Sequence, residues 1–176
     1  MNPLTADRVT RLVDTDPATV YGIVADVTRT PEWSPEVVAV RWETPPGSVG
    51  GAGVGARFAA TNRRRWMRWT NHPVVTAAEP GRVFSFSRTE RGGGTLRWTY
   101  EMERAGGEQC RVSLAYEVVD RVPTALQVIL KLLFGVDDLE ADLHQHMELS
   151  LERLAVLAAE ASTGHLPSTA HGGQND

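Results

Sequence analysis

Residues 63–72 read RRRWMRWTNH, four arginines and two tryptophans in ten positions. That composition suits a nucleic-acid-binding strip, but it equally suits a β-strand whose two faces differ. Side chains alternate across a strand, so Met67, Trp69 and Asn71 share one face while Arg68, Thr70 and His72 share the other. Trp66 falls on the polar side near a hairpin end, and Arg63 and Arg64 fall at the turn, where solvated charge is expected. The formal net charge of the whole chain is −4, opposite in sign to the positive field that sequence-independent nucleic-acid binding needs. The strand reading is preferred, and no nucleic-acid partner is expected.

The same alternation recurs downstream. Leu96, Trp98, Tyr100 and Met102 alternate with Arg97, Thr99, Glu101 and Glu103. Val112, Leu114, Tyr116 and Val118 alternate with Arg111, Ser113, Ala115 and Glu117, and Phe84 and Phe86 with Ser85 and Ser87. Glu101, Glu103 and Glu117 are placed to neutralise arginines on the polar face. Strands are predicted near 37–44, 56–62, 65–78, 82–88, 94–105 and 108–119, joined by PPGSVGGAGVG, NR, EPG, ERGG and AGGE. The first connector has five glycines but no Gly-Lys-Ser/Thr ending, so it reads as a hairpin loop and not as a phosphate cradle.

Upstream, a β-like run covers 8–13, and Asp16-Pro17 then gives a capped helix start with Val20, Ile23, Val24 and Val27 on one stripe. Thr30-Pro31-Glu32 signals a second short helical turn leading to Trp33, which stands between Pro31 and Pro35. Past Asp120 the period becomes helical, with Leu139, Leu143, Met147, Leu151, Leu154 and Leu157 or Ala158 on one face. Gly135 and the Asp137-Asp138 pair are expected to kink or restart that helix.

These elements define an α+β fold: a curved antiparallel sheet of six or seven strands wrapped around a long C-terminal helix, with two short helices after the first strand. A sheet that is apolar on one face must cover it, and only the C-terminal helix is long enough to do so. At ~25 residues it reaches ~38 Å. The inward set mixes Trp69, Trp98, Tyr100, Tyr116 and Asn71, whose polar tips need partners when buried. An internal ligand cavity of ~300–1,000 Å³ is therefore expected in place of a filled core.

The 176 residues fit one domain, expected over 1–161 with a disordered tail at 162–176. Hydrophobic content is 41% and no apolar run approaches the ~18–20 residues of a membrane span, so neither a span nor a leader is expected and the default compartment is the cytoplasm. Cys110 is the single cysteine, which excludes an intrachain disulfide and a thiolate metal cluster.

The order of elements, together with DPATVYGIVADVTRTPEWSPEVVAV (16–40), VGARFAATNRRRWMRWTNHPVVTAAEPGRVFSF (54–86) and LERLAVLAAE (151–160), resembles the START-like (SRPBCC) helix-grip superfamily over roughly 8–160. The closest resemblance is to its bacterial polyketide cyclase/dehydrase branch. It implies a Bet v 1-like fold holding a hydrophobic or lipid-like ligand, with activities that range from aromatase/cyclase to carrier. In the cyclase branch the strand matching 67–73 tends to carry an arginine facing the pocket near a Trp and a Ser-His pair. Trp69 and His72 fit that pattern, and Pro73 stands where the arginine is expected.

The ligand-binding candidates come from three places. Trp33 lies beside the expected opening, where it serves as a gate or a packing anchor. Met67, Trp69, Asn71, Phe84 and Phe86 come from the first half of the sheet. Trp98, Tyr100, Leu114 and Tyr116 come from the last two strands, and Leu143, His146 and Met147 from the helix. Catalysis is unassigned, with Tyr100, Tyr116 and His146 as weak proton-transfer candidates. His144 lies with Glu140 and Glu148 on the wet side. It diverges from His146, and nearby Asp142 does not complete a metal site, so no metal and no cofactor is expected. The leading expectation is a binder of a hydrophobic, aromatic or polycyclic small molecule. A polyketide cyclase/dehydratase and a protein-interaction module, using the outer sheet face or the Arg63–Arg65 tip, are the alternatives, and a homodimer is compatible with all three.

Overall fold

The computed structural model describes residues 5–44, 53–90, 93–135 and 138–163. Most of the glycine-rich connector, part of the ERGG turn, Asp137 and the tail from 164 lie outside them. Eight strands form one antiparallel sheet: β1 (Ala6–Val13), β2 (Val37–Thr44), β3 (Arg57–Arg64), β4 (Met67–Asn71), β5 (Val74–Glu79), β6 (Val83–Thr89), β7 (Thr95–Gly106) and β8 (Gln109–Asp120). The order is β1-β8-β7-β6-β5-β3-β2, with β4 paired to β3. This curled sheet with a long C-terminal helix is a helix-grip fold.

The connection between β1 and β2 is built from caps. Asp16 Oδ1 accepts the Ala18 and Thr19 amides at 2.8 and 3.1 Å, opening α1 (Pro17–Ala25). The next turn, a 3₁₀ helix at Val27–Glu32, begins earlier than the Thr30-Pro31 signal suggests. Asp26 caps it through the Thr28 amide at 3.2 Å. Pro31 sits inside it and, having no N–H, donates no i→i−3 bond, so the turn is carried by Arg29 N to Asp26 O at 3.0 Å and Trp33 N to Thr30 O at 3.2 Å. Trp33 follows directly and is 1% exposed.

Two departures from the expected strands decide the interior. The single strand predicted over 65–78 is two, β4 and β5, split at His72-Pro73. Both keep one register against β3, Ala60 opposite Asn71 and Arg57 opposite Val74. The ladder is interrupted because proline has no N–H to donate, while its carbonyl still accepts from Phe58 N at 3.2 Å. The turn expected at Arg63-Arg64 lies instead at Arg65-Trp66, where Arg65 takes a positive φ of 54°. With β3 extended to Arg64, that residue shares the inward face with Phe58, Ala60 and Asn62. Arg64 is thus turned inward and not solvated at a tip.

On the outer face Glu101, Glu117 and Glu103 pair with Arg8, Arg97 and Arg111 at 2.6, 2.5 and 3.8 Å. They do not neutralise the 63–68 cluster. After β8 the chain forms α2 (Thr124–Phe134), ended by left-handed Gly135 with φ 66°. Asp138 then restarts the helix by accepting the Glu140 and Ala141 amides at 3.0 and 3.4 Å. The 25-residue α3 (Leu139–Thr163) runs two residues past the domain end expected at 161. Leu139, Met147, Leu151, Leu154 and Ala158 are all 5% exposed or less and belong to the buried cluster that also holds the inward residues of β7 and β8. His144 Nδ1 lies 2.7 Å from Asp7 Oδ2, fixing α3 against β1.

The junction between β7 and the segment before α2 is tight. A Cβ on Gly94 would stand 2.7 Å from Val122 Cα, and Gly94 has φ 92°. Gly94→Ala is expected to cost about 2–4 kcal/mol in urea unfolding. Gly106→Ala, at φ 109° with nothing within 4 Å of the added carbon, isolates the backbone strain alone and should cost clearly less. Equal losses at the two positions would show that the Val122 contact does not matter.

Candidate ligand-binding cavity

A cavity of about 110 Å³ lies between the sheet and α3. This is below the expected ~300–1,000 Å³, because aromatic rings take up the space. Phe58 meets Trp42 and Phe86 edge-on at 5.7 and 5.4 Å, and Phe84 lies 6.2 Å from Phe86 and 6.4 Å from Tyr21.

Most sequence candidates stand in the wall. Trp33 enters from the 3₁₀ turn, Asn71 from β4, Phe84 and Phe86 from β6, and Trp98, Tyr100 and Leu114 from β7 and β8. Leu143, His146 and Met147 enter from α3. Three candidates are not wall residues. Met67 and Trp69 are half-buried on β4 closer to the hairpin tip, and Asn71 and Pro73 reach the cavity in their place. Tyr116, 1% exposed, packs 5.4 Å from Trp98, and it is the Trp98 ring that meets the cavity. Trp33 Nε1 donates to Tyr100 Oη at 3.3 Å, which makes Trp33 a buried anchor.

One end of the cavity is polar, and most of it was not read from the sequence. Glu36, at the start of β2, lies 3.1 Å from Arg64 Nη1 and 3.3 Å from His146 Nδ1, the latter without hydrogen-bond alignment. Arg64 also grips both carboxylate oxygens of Asp142 on α3. The side chains of Glu36, Arg64 and Asp142 are only 18, 13 and 14% exposed. Burial pushes the Glu36 carboxyl up, yet neighbouring His146, Arg88 and Arg64 hold it below the usual carboxylate range. The hydrogen bond to Asp142 raises the Arg64 pKa in turn. Arg88 on β6 enters the wall beside them, 5.6 Å from the Trp98 ring and 2.7 Å from Glu90. The signal for Arg64 was its parity with Asn62, which the misplaced turn concealed.

The phenols are weak acids that stay protonated. Burial pushes Tyr100 up to about 12. Burial together with the charges of Glu140, Asp7 and Asp138 does the same to Tyr116, also to about 12. What the wall offers a guest is donors: Asn71 Nδ2 and Trp98 Nε1 are buried and find no hydrogen-bond acceptor among the described residues, whereas Arg88 Nε is held by Glu90. An unmet buried donor costs about 1–3 kcal/mol, so two at one site favour a ligand that supplies acceptors.

The family model for polyketide cyclase/dehydrase and lipid transport matches residues 8–159. The chain belongs to that family. No curated protein matches it. Among solved structures, the di-domain ARO/CYC StfQ from the steffimycin biosynthetic pathway is 15% identical at TM-score 0.68, over 92% of this chain and 52% of that one. A START superfamily protein from Mycobacterium smegmatis is 14% identical at TM-score 0.63, over 88% and 99%. Ara h 8.0201 is 12% identical at TM-score 0.59, over 88% and 97%. At these identities the likeness is one of fold. As a polyketide cyclase/dehydrase family member the chain has a ligand-binding helix-grip fold, but it departs from the arginine pattern that the resemblance implies. Pro73 is in the wall, Trp69 is not, and His72 is outside, 2.9 Å from Glu43. The cavity's arginine comes from β6, as Arg88.

Arg64→Ala leaves two enclosed carboxylates facing each other and is expected to destabilise the fold by about 2–4 kcal/mol. Glu36→Gln tests the pH dependence. Because the folded value lies below the ordinary 4.5, the stability it contributes is complete above that pH and is lost as pH falls through the folded value. The difference in urea midpoint between wild type and Glu36→Gln should therefore be largest near neutrality and shrink below about pH 4. A difference independent of pH would remove the assigned role.

Proposed function

We propose that the protein binds a hydrophobic, aromatic or polycyclic small molecule bearing carbonyl or phenolic oxygens, in the cytoplasm and without metal or covalent cofactor. The observation that carries this reading is the pairing of an aromatic wall with two buried donors, on Asn71 and Trp98, that find no acceptor among the described residues. Apolar rings bury against Phe58, Phe84 and Phe86, and oxygens on the guest accept from the donors. Family membership supports a small hydrophobic ligand. A guest of several fused rings requires half-buried Phe86 or Leu143 to turn aside, since the closed cavity is small.

A second reading, turnover of a bound poly-keto chain, draws support from one feature. His146 stands in the wall beside the ionised Glu36, 3.3 Å away, an arrangement that orients an imidazole for proton transfer. Confinement of the chain in a near-attack fold would supply the rest of the acceleration.

Titration with a hydroxynaphthoquinone and with naphthalene, followed by tryptophan fluorescence, separates donor recognition from simple burial. Trp98→Phe and Asn71→Leu should each weaken quinone binding about three- to tenfold and leave naphthalene unchanged. Equal affinity for the two probes in wild type would refute the donor argument. Incubation with polyketide mimics decides between carrier and enzyme: product formation lost in His146→Ala or Tyr100→Phe, with binding retained, assigns catalysis. Native mass spectrometry of protein from its own host identifies the guest.

A further inference from the structure

Helix α2 is apolar around most of its circumference, a pattern that belongs to a covered helix. Leu126 and Leu130 pack on the core, while Val128, Ile129 and Leu132 are 37, 50 and 78% exposed on the opposite side. Trp66, at the β3–β4 tip, is 77% exposed. The two features adjoin, because the Arg65 guanidinium lies against Gly135 at the end of α2, where a Cβ would collide with it. Asp138 follows α2 and Glu36 and Asp142 are taken up by Arg64, but the segments that form the patch carry charge of one sign. No Asp or Glu occurs in 57–78 or 121–136, although the whole chain carries −4. Arg63, Arg65 and Arg68 make no ion pair among the described residues, and Arg63 faces Arg68 directly across the hairpin. Like charges placed opposite each other on neighbouring strands are destabilising, and an anionic surface relieves them.

We propose that α2 and the β3–β4 tip together dock on an anionic lipid surface. The 11-residue α2 is ~16 Å long, too short to cross a bilayer and suited to lying in its interface. Trp66 takes the headgroup level that tryptophan favours, with Arg63, Arg65 and Arg68 over the phosphates. A second copy of the chain fits less well, since a two-fold contact through this patch brings the arginine rim against its own image. Docking here places the cavity's polar end near the lipid, because Arg64, next to the tip, is bound to Glu36 and Asp142 at that end.

The full-length protein is sedimented with vesicles of phosphatidylcholine alone and of phosphatidylcholine mixed with phosphatidylglycerol. Binding is expected to the mixed vesicles only and to fall steeply with salt. Arg63→Ala and Arg65→Ala should each weaken it about fivefold, and Trp66→Ser and Leu132→Glu at least tenfold. These side chains are exposed, so the variants should keep the wild-type thermal midpoint; should Leu132→Glu misfold, Trp66→Ser carries the apolar arm alone. Failure to sediment with anionic vesicles at low salt, or unchanged binding in the folded variants, overturns the proposal. So does a concentration-dependent dimer in lipid-free solution that Leu132→Glu disperses, which assigns the patch to a second copy. Binding of the naphthoquinone probe is read separately and can hold in either case.

Discussion

A sheet that is apolar on one face only is unstable until something covers that face, and every other feature of this protein follows from how it is covered. The long β7–β8 hairpin presents Leu96, Tyr100, Met102, Val112 and Leu114 inward, and α3 answers with Met147, Leu151, Leu154 and Ala158. Each such side chain contributes ~1.5–3 kcal/mol when fully buried. Because β1 pairs with β8, α3 can be anchored to the sheet from the edge of the hairpin as well, through His144 and Asp7. One helix laid across a curled sheet cannot meet every strand closely. Where it diverges from the sheet, near Leu143 and His146, the cavity remains.

At that divergent end the packing is ionic. Arg64 joins the start of β2, the β3–β4 hairpin and the first turns of α3 by holding Glu36 and Asp142 at once. A guanidinium is suited to this, since its planar fork serves two carboxylates in fixed directions. The arrangement keeps the mouth of the cavity in register without filling it. It also keeps Glu36 ionised beside His146, 3.3 Å away. The deeper wall carries neutral donors and aromatic rings. The cavity is thus graded from apolar depth to charged mouth, a polarity that suits a guest with an oily body and an oxygen-bearing end.

Trp33 shows how local and global requirements meet. The caps at Asp16 and Asp26 turn the chain so that Trp33 enters the interior at the 3₁₀ terminus, and its indole N–H then finds Tyr100. The neighbouring indole of Trp98 has no such partner among the described residues. Two tryptophans of one wall therefore do different work, one closing the core and one left with a donor to offer.

Much of this was legible in the residues alone. Period-two alternation sorted Phe84, Phe86, Trp98, Tyr100 and Leu114 to one face, and the 3.6-residue stripe from Leu139 to Ala158 named the helix that covers them, because both periods are local consequences of backbone geometry. Proline at 73 falls within the one strand expected over 65–78, and its missing N–H is what divides β4 from β5. What the tertiary structure alone decided is whatever depends on where a turn falls and on which chain segments meet. A hairpin tip two residues later than expected reversed the fate of Arg64, since a shift in the turn changes what each side chain can reach. The meeting of Glu36, Arg64, Asp142 and His146 spans more than a hundred positions of sequence, and no local period encodes it. Cavity size belongs to the same class, being the small remainder left after large rings have packed, which only their placement in three dimensions determines.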